Sequence, residues 1–312
     1  MKNKILIPIL LVLLASLGLN FFLWQKNNLP EEQLSTNEYT FVNPLSKNHI
    51  DNNTQEEKFI LHYQDLRPLI EKEIKKNTDM ENIGFFLQDV KTGAWLGINE
   101  REGFIPASLL KVPIMMAILK KVENDEIDFK QEIEIQKEDF DENAGDLYQQ
   151  KVGTKINIWN LLEKMILSSD NTAKNILKRQ LSIEELNAPF AHVGITNPYQ
   201  NDNAITVTPR GYSRFFKALY LSTFLKPQLS EKALSLATDT VMESLISAGI
   251  PPEIQVAHKY GERPDGLHDC GVVYHPQNPY FICVMSRNVE LTQDKELIKN
   301  LSKITYEFVS KK

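Results

Sequence analysis

Apolar positions along the chain change period several times, and each change marks an element. From residue 59 to 74, FILHYQDLRPLIEKEI repeats its apolar side chains at the interval of one helix face. The period then shortens, and NIGFFLQDVKTGAWLGI, residues 82–98, reads as two strands about a Lys-Thr-Gly turn. LLKVPIMMAILKKV, residues 109–122, is apolar nearly all round, the mark of a buried helix, with Pro113 close enough to its start to be tolerated or to bend it mildly. Asn157 is a candidate N-cap, because Ile158, Leu161, Leu162, Met165 and Ile166 follow at the spacing of one face. Thr208 and Pro209 suit the cap and first turn of the next helix, and Ser230 the cap of another. Beyond the Pro251-Pro252 break, IQVAHKYG, HDCGVVYH and YFICVMSR read as strands of a meander, and residues 292–309 close the chain as an amphipathic helix. Strands at both ends enclosing helices in the middle predict one mixed domain, an antiparallel sheet assembled from the two ends with a helical insertion between them.

The N-terminal stretch departs from this pattern. Residues 5–24, ILIPILLVLLASLGLNFFLW, carry no charge and are about long enough to cross a ~30 Å hydrocarbon core as a helix. Lys2 and Lys4 precede it, so the positive-inside bias predicts a cytoplasmic N-terminus of residues 1–4 and places everything after Trp24 outside the cytoplasm. A cleaved signal peptide is the rival, but bulky residues stand where a cleavage site would need small ones. Residues 25–57, rich in Asn, Gln, Glu, Ser and Lys, suit a solvated tether, which leaves 58–312 for the folded domain.

Charge excludes one class of partner. The 35 basic and 41 acidic residues are spread along the chain for a formal charge of -6, so there is no basic field for nucleic acid. A monomer is the expectation. The two cysteines, Cys270 and Cys283, lie within one residue of symmetry about a Gln-Asn pair, so a hairpin turning there places them opposite one another. A cross-strand disulfide is one reading; two small buried residues that never pair is the one favoured here. His258, His268 and His275 match no zinc spacing and read as strand polar residues.

The candidate chemistry begins inside the apolar run. Ser108 and Lys111 are three residues apart, so on a helix they share a face and the amine can lean towards the hydroxyl. Burial disfavours the charged lysine and lets it take a proton from the alcohol. A bare S-x-x-K also arises from a capping serine beside a snorkelling lysine. Two further groups narrow the choice: Ser169-Asp170-Asn171 after a helix, and Lys259-Tyr260-Gly261 on a late strand. S-x-x-K, S-D-N and K-T-G occur together, in this order, in class A β-lactamases and penicillin-binding proteins.

Through these residues, and through SDNTA, TVTPRGYSRFF and VAHKYG, the chain resembles the penicillin-recognising serine hydrolases from about residue 82 to 288, most closely the class A β-lactamase group. The resemblance implies a β-lactamase/transpeptidase-like fold whose inserted subdomain is all helical, with no cofactor or metal. It implies Ser108 as acylated nucleophile, Lys111 as its base and Ser169 as relay to the leaving nitrogen. Asn171 would hold a substrate amide and Asp170 would brace the turn. Lys259 would lend positive potential, Gly261 would let the strand approach the ligand, and the N–H groups of Ser108 and Glu262 would form the oxyanion hole.

Three features test the resemblance. Lys91-Thr92-Gly93 matches K-T-G but precedes Ser108 and reads as turn chemistry. IEELN, residues 183–187, resembles the end of the loop that carries the family's deacylating glutamate, yet it follows Asn171 too closely, so neither Glu184 nor Glu185 is expected to serve. Tyr260 stands where the family has Thr or Ser, leaving open whether its phenol or Arg263 meets the substrate carboxylate, or whether the ring merely packs on the sheet. Three functions follow: a hydrolase that opens β-lactams, a D-alanyl-D-alanine carboxypeptidase or other penicillin-binding protein acting on peptidoglycan stem peptides, or a sensing or wall-binding module without turnover. Each would work in the cell envelope, held to the membrane by residues 5–24.

Overall fold

Both ends of the chain contribute strands to one antiparallel sheet. The computed structural model describes residues 39–42, 63–196, 198–200, 205–238 and 245–311. The expected anchor at 5–24 and most of the tether lie outside them. Among the described residues no helix is long and apolar enough to cross a membrane.

Helix α1 (Leu66–Asn77) leads into strands β1 (Ile83–Asp89) and β2 (Trp95–Ile98), paired about the Lys91-Thr92-Gly93 turn. A 3₁₀ turn (Ala107–Leu110) runs into α2 (Lys111–Glu123). After it come β3 (Glu132–Glu134), β4 (Lys155–Asn157), α3 (Ile158–Leu167), α4 (Asn171–Lys178), α5 (Ile183–His192), α6 (Pro209–Tyr220) and α7 (Pro227–Thr238). Strands β5 (Val256–Arg263), β6 (Gly266–Val273) and β7 (Tyr280–Ser286) and helix α8 (Leu291–Val309) finish the chain. The sheet order is β2-β1-β7-β6-β5, so the N-terminal hairpin joins the C-terminal meander through β1 and β7, and β5 becomes an edge. Strands β3 and β4 pair in a separate ribbon, which adds a small sheet to the helical insertion.

One sheet face is covered by α1 and α8, whose Ile70, Ile74, Leu297, Ile298 and Leu301 are fully buried against Phe85, Leu87, Ile282 and Val284. Each such side chain contributes roughly 1.5–3 kcal/mol when taken out of water. The other face meets α6. Thr208 caps α6 by accepting from the Gly211 N–H at 2.9 Å, and the buried Tyr212 hydroxyl donates to the Leu109 carbonyl at 2.9 Å, tying α6 to the turn that carries Ser108. Asn157 caps α3 by accepting from the Asn160 N–H at 2.8 Å, and the five apolar residues of its predicted face are all buried.

Two expectations need correction. Helix α7 starts at Pro227, so Ser230 lies within it and is wholly buried; the proline's fixed φ begins the helix earlier than a serine cap would. Cys270 and Cys283 are joined by a disulfide. The β6–β7 register sets them directly opposite, with Cα atoms 3.9 Å apart, so facing thiols are already in reach without movement of either strand. Phe41 and Val42, within the expected tether, lie against the fold: both backbone N–H groups donate to Glu231 Oε2, at 2.7 and 3.1 Å, and the Phe41 carbonyl accepts from the Tyr274 hydroxyl.

Candidate active site

Ser108 sits in the 3₁₀ turn and Lys111 opens α2 behind it. In a 3₁₀ turn positions i and i+3 eclipse, so the lysine still folds back onto the serine. Its Nζ lies 2.8 Å from Ser108 Oγ, 3.0 Å from Ser169 Oγ and 2.7 Å from Asn171 Oδ1, and it also meets the Ser169 carbonyl. Lys259 enters from the edge strand β5, with Nζ 3.1 Å from Ser169 Oγ. Ser108, Lys111, Ser169, Asn171 and Lys259 thus converge on one cluster, where the helical insertion meets the sheet.

Backbone geometry holds the cluster. Ala107 and Ser169 both have positive φ, 50° and 56°, a conformation that costs a non-glycine residue on the order of 1–3 kcal/mol. Buried contacts offset that cost. Asp170 is fully buried, accepts from the N–H groups of Asp146, Leu147 and Ala173 at 2.8–2.9 Å, and so caps α4 while binding the 141–147 loop. Gly145 touches that carboxylate, leaving no room for a Cβ. Gly261 presses on the Ser108 turn: a Cβ there would lie 2.8 Å from the Pro106 carbonyl oxygen and 3.2 Å from the Ser108 nitrogen. Only glycine lets β5 come this near.

Burial governs the electrostatics. Desolvation, reinforced by Lys259 and Lys174, lowers the Lys111 pKa to about 6 against the opposing pull of Asp170 and Asp141. Lys259 is lowered to about 7 by burial, although Asp269 pulls the other way. Asp269 is itself buried, between His258 Nδ1 at 2.8 Å and the Ile246 N–H at 3.0 Å.

The remaining candidates divide. Tyr260 packs against the core and also reaches the cluster: its ring centroid is 4.0 Å from Lys259 Nζ, its phenol lies beside Ser169, and burial raises its pKa. The Glu262 side chain is exposed. Arg263 donates from Nε to Asp265 at 2.9 Å and lines a separate cavity of about 210 Å³ with Phe104, Ile105, His268 and Arg287. Glu185 belongs to a capping box with Ser182 and accepts from Lys121 Nζ at 2.6 Å. Lys121 is ten residues along α2 from Lys111, roughly 15 Å at the helical rise. Glu184 is exposed on the same helix. Lys91-Thr92-Gly93 forms its turn through Asp89 Oδ1, which accepts from Thr92 Oγ1 at 2.7 Å, at the far edge of the sheet from β5.

The three histidines work in the scaffold. His258 pairs with Asp269, His268 meets the Ile105 carbonyl at 2.9 Å, and His275 meets Ser310 Oγ at 3.1 Å. Among the described residues no group of three His, Cys, Asp or Glu is arranged to hold a metal. The sequence reading missed Asp141, whose carboxylate faces the Asn171 amide and lies 3.9 Å from Lys174 Nζ. Its only sequence signal was a polar Asp-Glu-Asn-Ala-Gly run that looks like any turn.

Residues 65–309 match the beta-lactamase enzyme family. No curated protein matches the chain in sequence. Among solved structures, PBP-A superposes with a TM-score of 0.72 at 25% identity, covering 79% of this chain and 97% of its own. A PBP-A variant captured as an acyl-enzyme with penicillin G gives 0.71 at 25% identity, covering 80% and 97%. A beta-lactamase from Sphaerobacter thermophilus gives 0.73 at 18% identity, covering 81% and 99%, a likeness of fold. The converged Ser-Lys cluster, the two-part architecture and a family match over most of the chain lead to one conclusion: this chain belongs to the beta-lactamase enzyme family and has the fold of a penicillin-recognising serine hydrolase.

Proposed function

We propose that the chain opens β-lactam amide bonds through an acyl-enzyme at Ser108, as a class A-like serine hydrolase. The observation that carries this reading is the buried Lys111 amine, 2.8 Å from Ser108 Oγ, with a pKa of about 6. A neutral amine at pH 7 donates two hydrogens, here to the Ser169 carbonyl and to Asn171 Oδ1, and turns its lone pair to the Ser108 hydroxyl. Lys111 takes the Ser108 proton as Oγ attacks the lactam carbonyl carbon. The N–H groups of Ser108 and Glu262 receive the developing oxyanion; in such sites one lost donor costs about 2.7–4 kcal/mol. Ser169, held between the two lysine amines, passes its proton to the lactam nitrogen as the bond from that nitrogen to the carbonyl carbon breaks, and takes back the one Lys111 received from Ser108. Asn171 keeps a second amide hydrogen for the substrate's side-chain amide. Lys259 and the Tyr260 phenol face the substrate carboxylate in this reading, while Arg263, paired with Asp265, takes no part.

Hydrolysis of the acyl-enzyme also needs a held water. Glu185 is committed to Lys121, and this favours a second reading, a D-alanyl-D-alanine carboxypeptidase that β-lactams block. Both readings place the domain outside the cytoplasm on a membrane tether, supported by the uncharged segment at 5–24 and by the disulfide, which suits an oxidising compartment.

Penicillin G and a stem pentapeptide ending in D-alanyl-D-alanine separate the two. Sustained penicillin turnover is the expected outcome. A single persistent adduct together with D-alanine release would establish the peptidase instead, and the absence of any adduct or release would sink both.

A further inference from the structure

We propose that Tyr260 restricts the cleft to substrates carrying nothing larger than methyl groups beside their carboxylate, such as acyl-D-alanine termini, penams and 3-methyl cephems. The inference rests on Ser108 being the acylated nucleophile. Tyr260 stands in β5 between Lys259 and Gly261, and it spans the cluster: its ring lies 4.0 Å from Lys259 Nζ and its hydroxyl reaches the Ser169 side chain. Lys259 is fully buried, with its ammonium held by Ser169 Oγ, the Tyr260 carbonyl and that ring face.

Substrate chemistry fixes what must meet this ring. In a β-lactam or an acyl-D-alanyl peptide, the carboxylate sits on the carbon attached to the leaving nitrogen. If the carbonyl is at Ser108 and that nitrogen is at Ser169, the carboxylate and the groups next to it are brought towards Lys259 beside Ser169 and the Tyr260 ring that lies against it. A threonine or serine there would offer a hydroxyl and leave space; a phenol offers the hydroxyl at the end of a ring that occupies it. A shift of β5 towards the Ser108 turn is blocked, because Gly261 already leaves no room for a methyl group against the Pro106 carbonyl. The other cation of this strand, Arg263, is paired through Nε with Asp265 and lines a different cavity.

The test measures acylation rates for two cephems alike except at position 3, methyl in one and pyridiniomethyl in the other, in the wild type, Tyr260→Phe and Tyr260→Thr. Comparing the ratio of the two rates between proteins cancels their intrinsic reactivities. Removing the ring in Tyr260→Thr is expected to shift the ratio about tenfold or more towards the larger cephem, the scale of a steric contact in a closed pocket. Tyr260→Phe keeps the ring and is expected to leave the ratio within about twofold, even if both rates fall with the lost hydroxyl. An unchanged ratio in Tyr260→Thr, or an equal shift in Tyr260→Phe, overturns the proposal. Tyr260→Ser serves as a second ring-free variant if the threonine protein does not fold. Failure of the wild type to take penicillin G at Ser108 would instead remove the reading beneath it, a result distinct from an unchanged ratio.

Discussion

At the residue scale, the proposed mechanism gives two lysines different tasks, and these set its pH behaviour. Lys111 accepts a proton only when neutral, which burial allows above about pH 6; Lys259 lends charge only when protonated, below about pH 7. Acylation by an anionic penicillin should therefore rise through about pH 6 and fall through about pH 7. Lys259→Arg should remove the falling limb, because guanidinium stays charged throughout this range. Stopped-flow acylation rates from pH 5 to 9 check this, and a flat profile would contradict the assigned roles. Ser108 and Lys111 stood out by their spacing, and Ser169, Asp170, Asn171 and Lys259 through the resemblance to a known motif set. The Asp141–Asn171 contact did not, since it joins residues 30 positions apart through side chains that carry no pattern.

Elements were readable where one face is buried throughout. Helix α3 matches its predicted face and cap residue by residue, as does α6 with Thr208 and Pro209. The β3–β4 ribbon left no trace, because two strands of three residues are too short for any period to show. Strand pairing is where sequence alone misjudged the cysteines: symmetry about the turn suggested they face each other, but only the register shows that they meet. The disulfide closes a separation of 13 residues between two interior strands, one of which pairs with β5 at Lys259. Reduction, or the Cys270→Ala/Cys283→Ala double variant, should lower unfolding stability by up to about 3 kcal/mol, the chain-entropy value for a loop of about this length. The denaturant midpoint with and without reductant measures it, and a midpoint that does not move would mean the thiols contribute nothing as a pair.

For the whole molecule, the site belongs to neither half alone. The insertion supplies Ser169 and Asn171, the edge of the sheet supplies Lys259, Tyr260 and Gly261, and the Ser108 turn lies at their junction, fastened by Tyr212 from α6. The sequence predicted a sheet built from both ends; it was silent on which strand would lie at the edge beside Ser108, because strand order depends on long-range pairing that leaves no local period. The measurement that tests the central claim most directly is intact mass and peptide mapping after a brief pulse of penicillin G stopped by acid, which traps the acyl-enzyme whether or not it would go on to turn over. One penicillin should add to the wild-type protein and map to the peptide containing Ser108, and Ser108→Ala should gain none. An undiminished adduct in Ser108→Ala, or one mapped to another residue, would contradict the account.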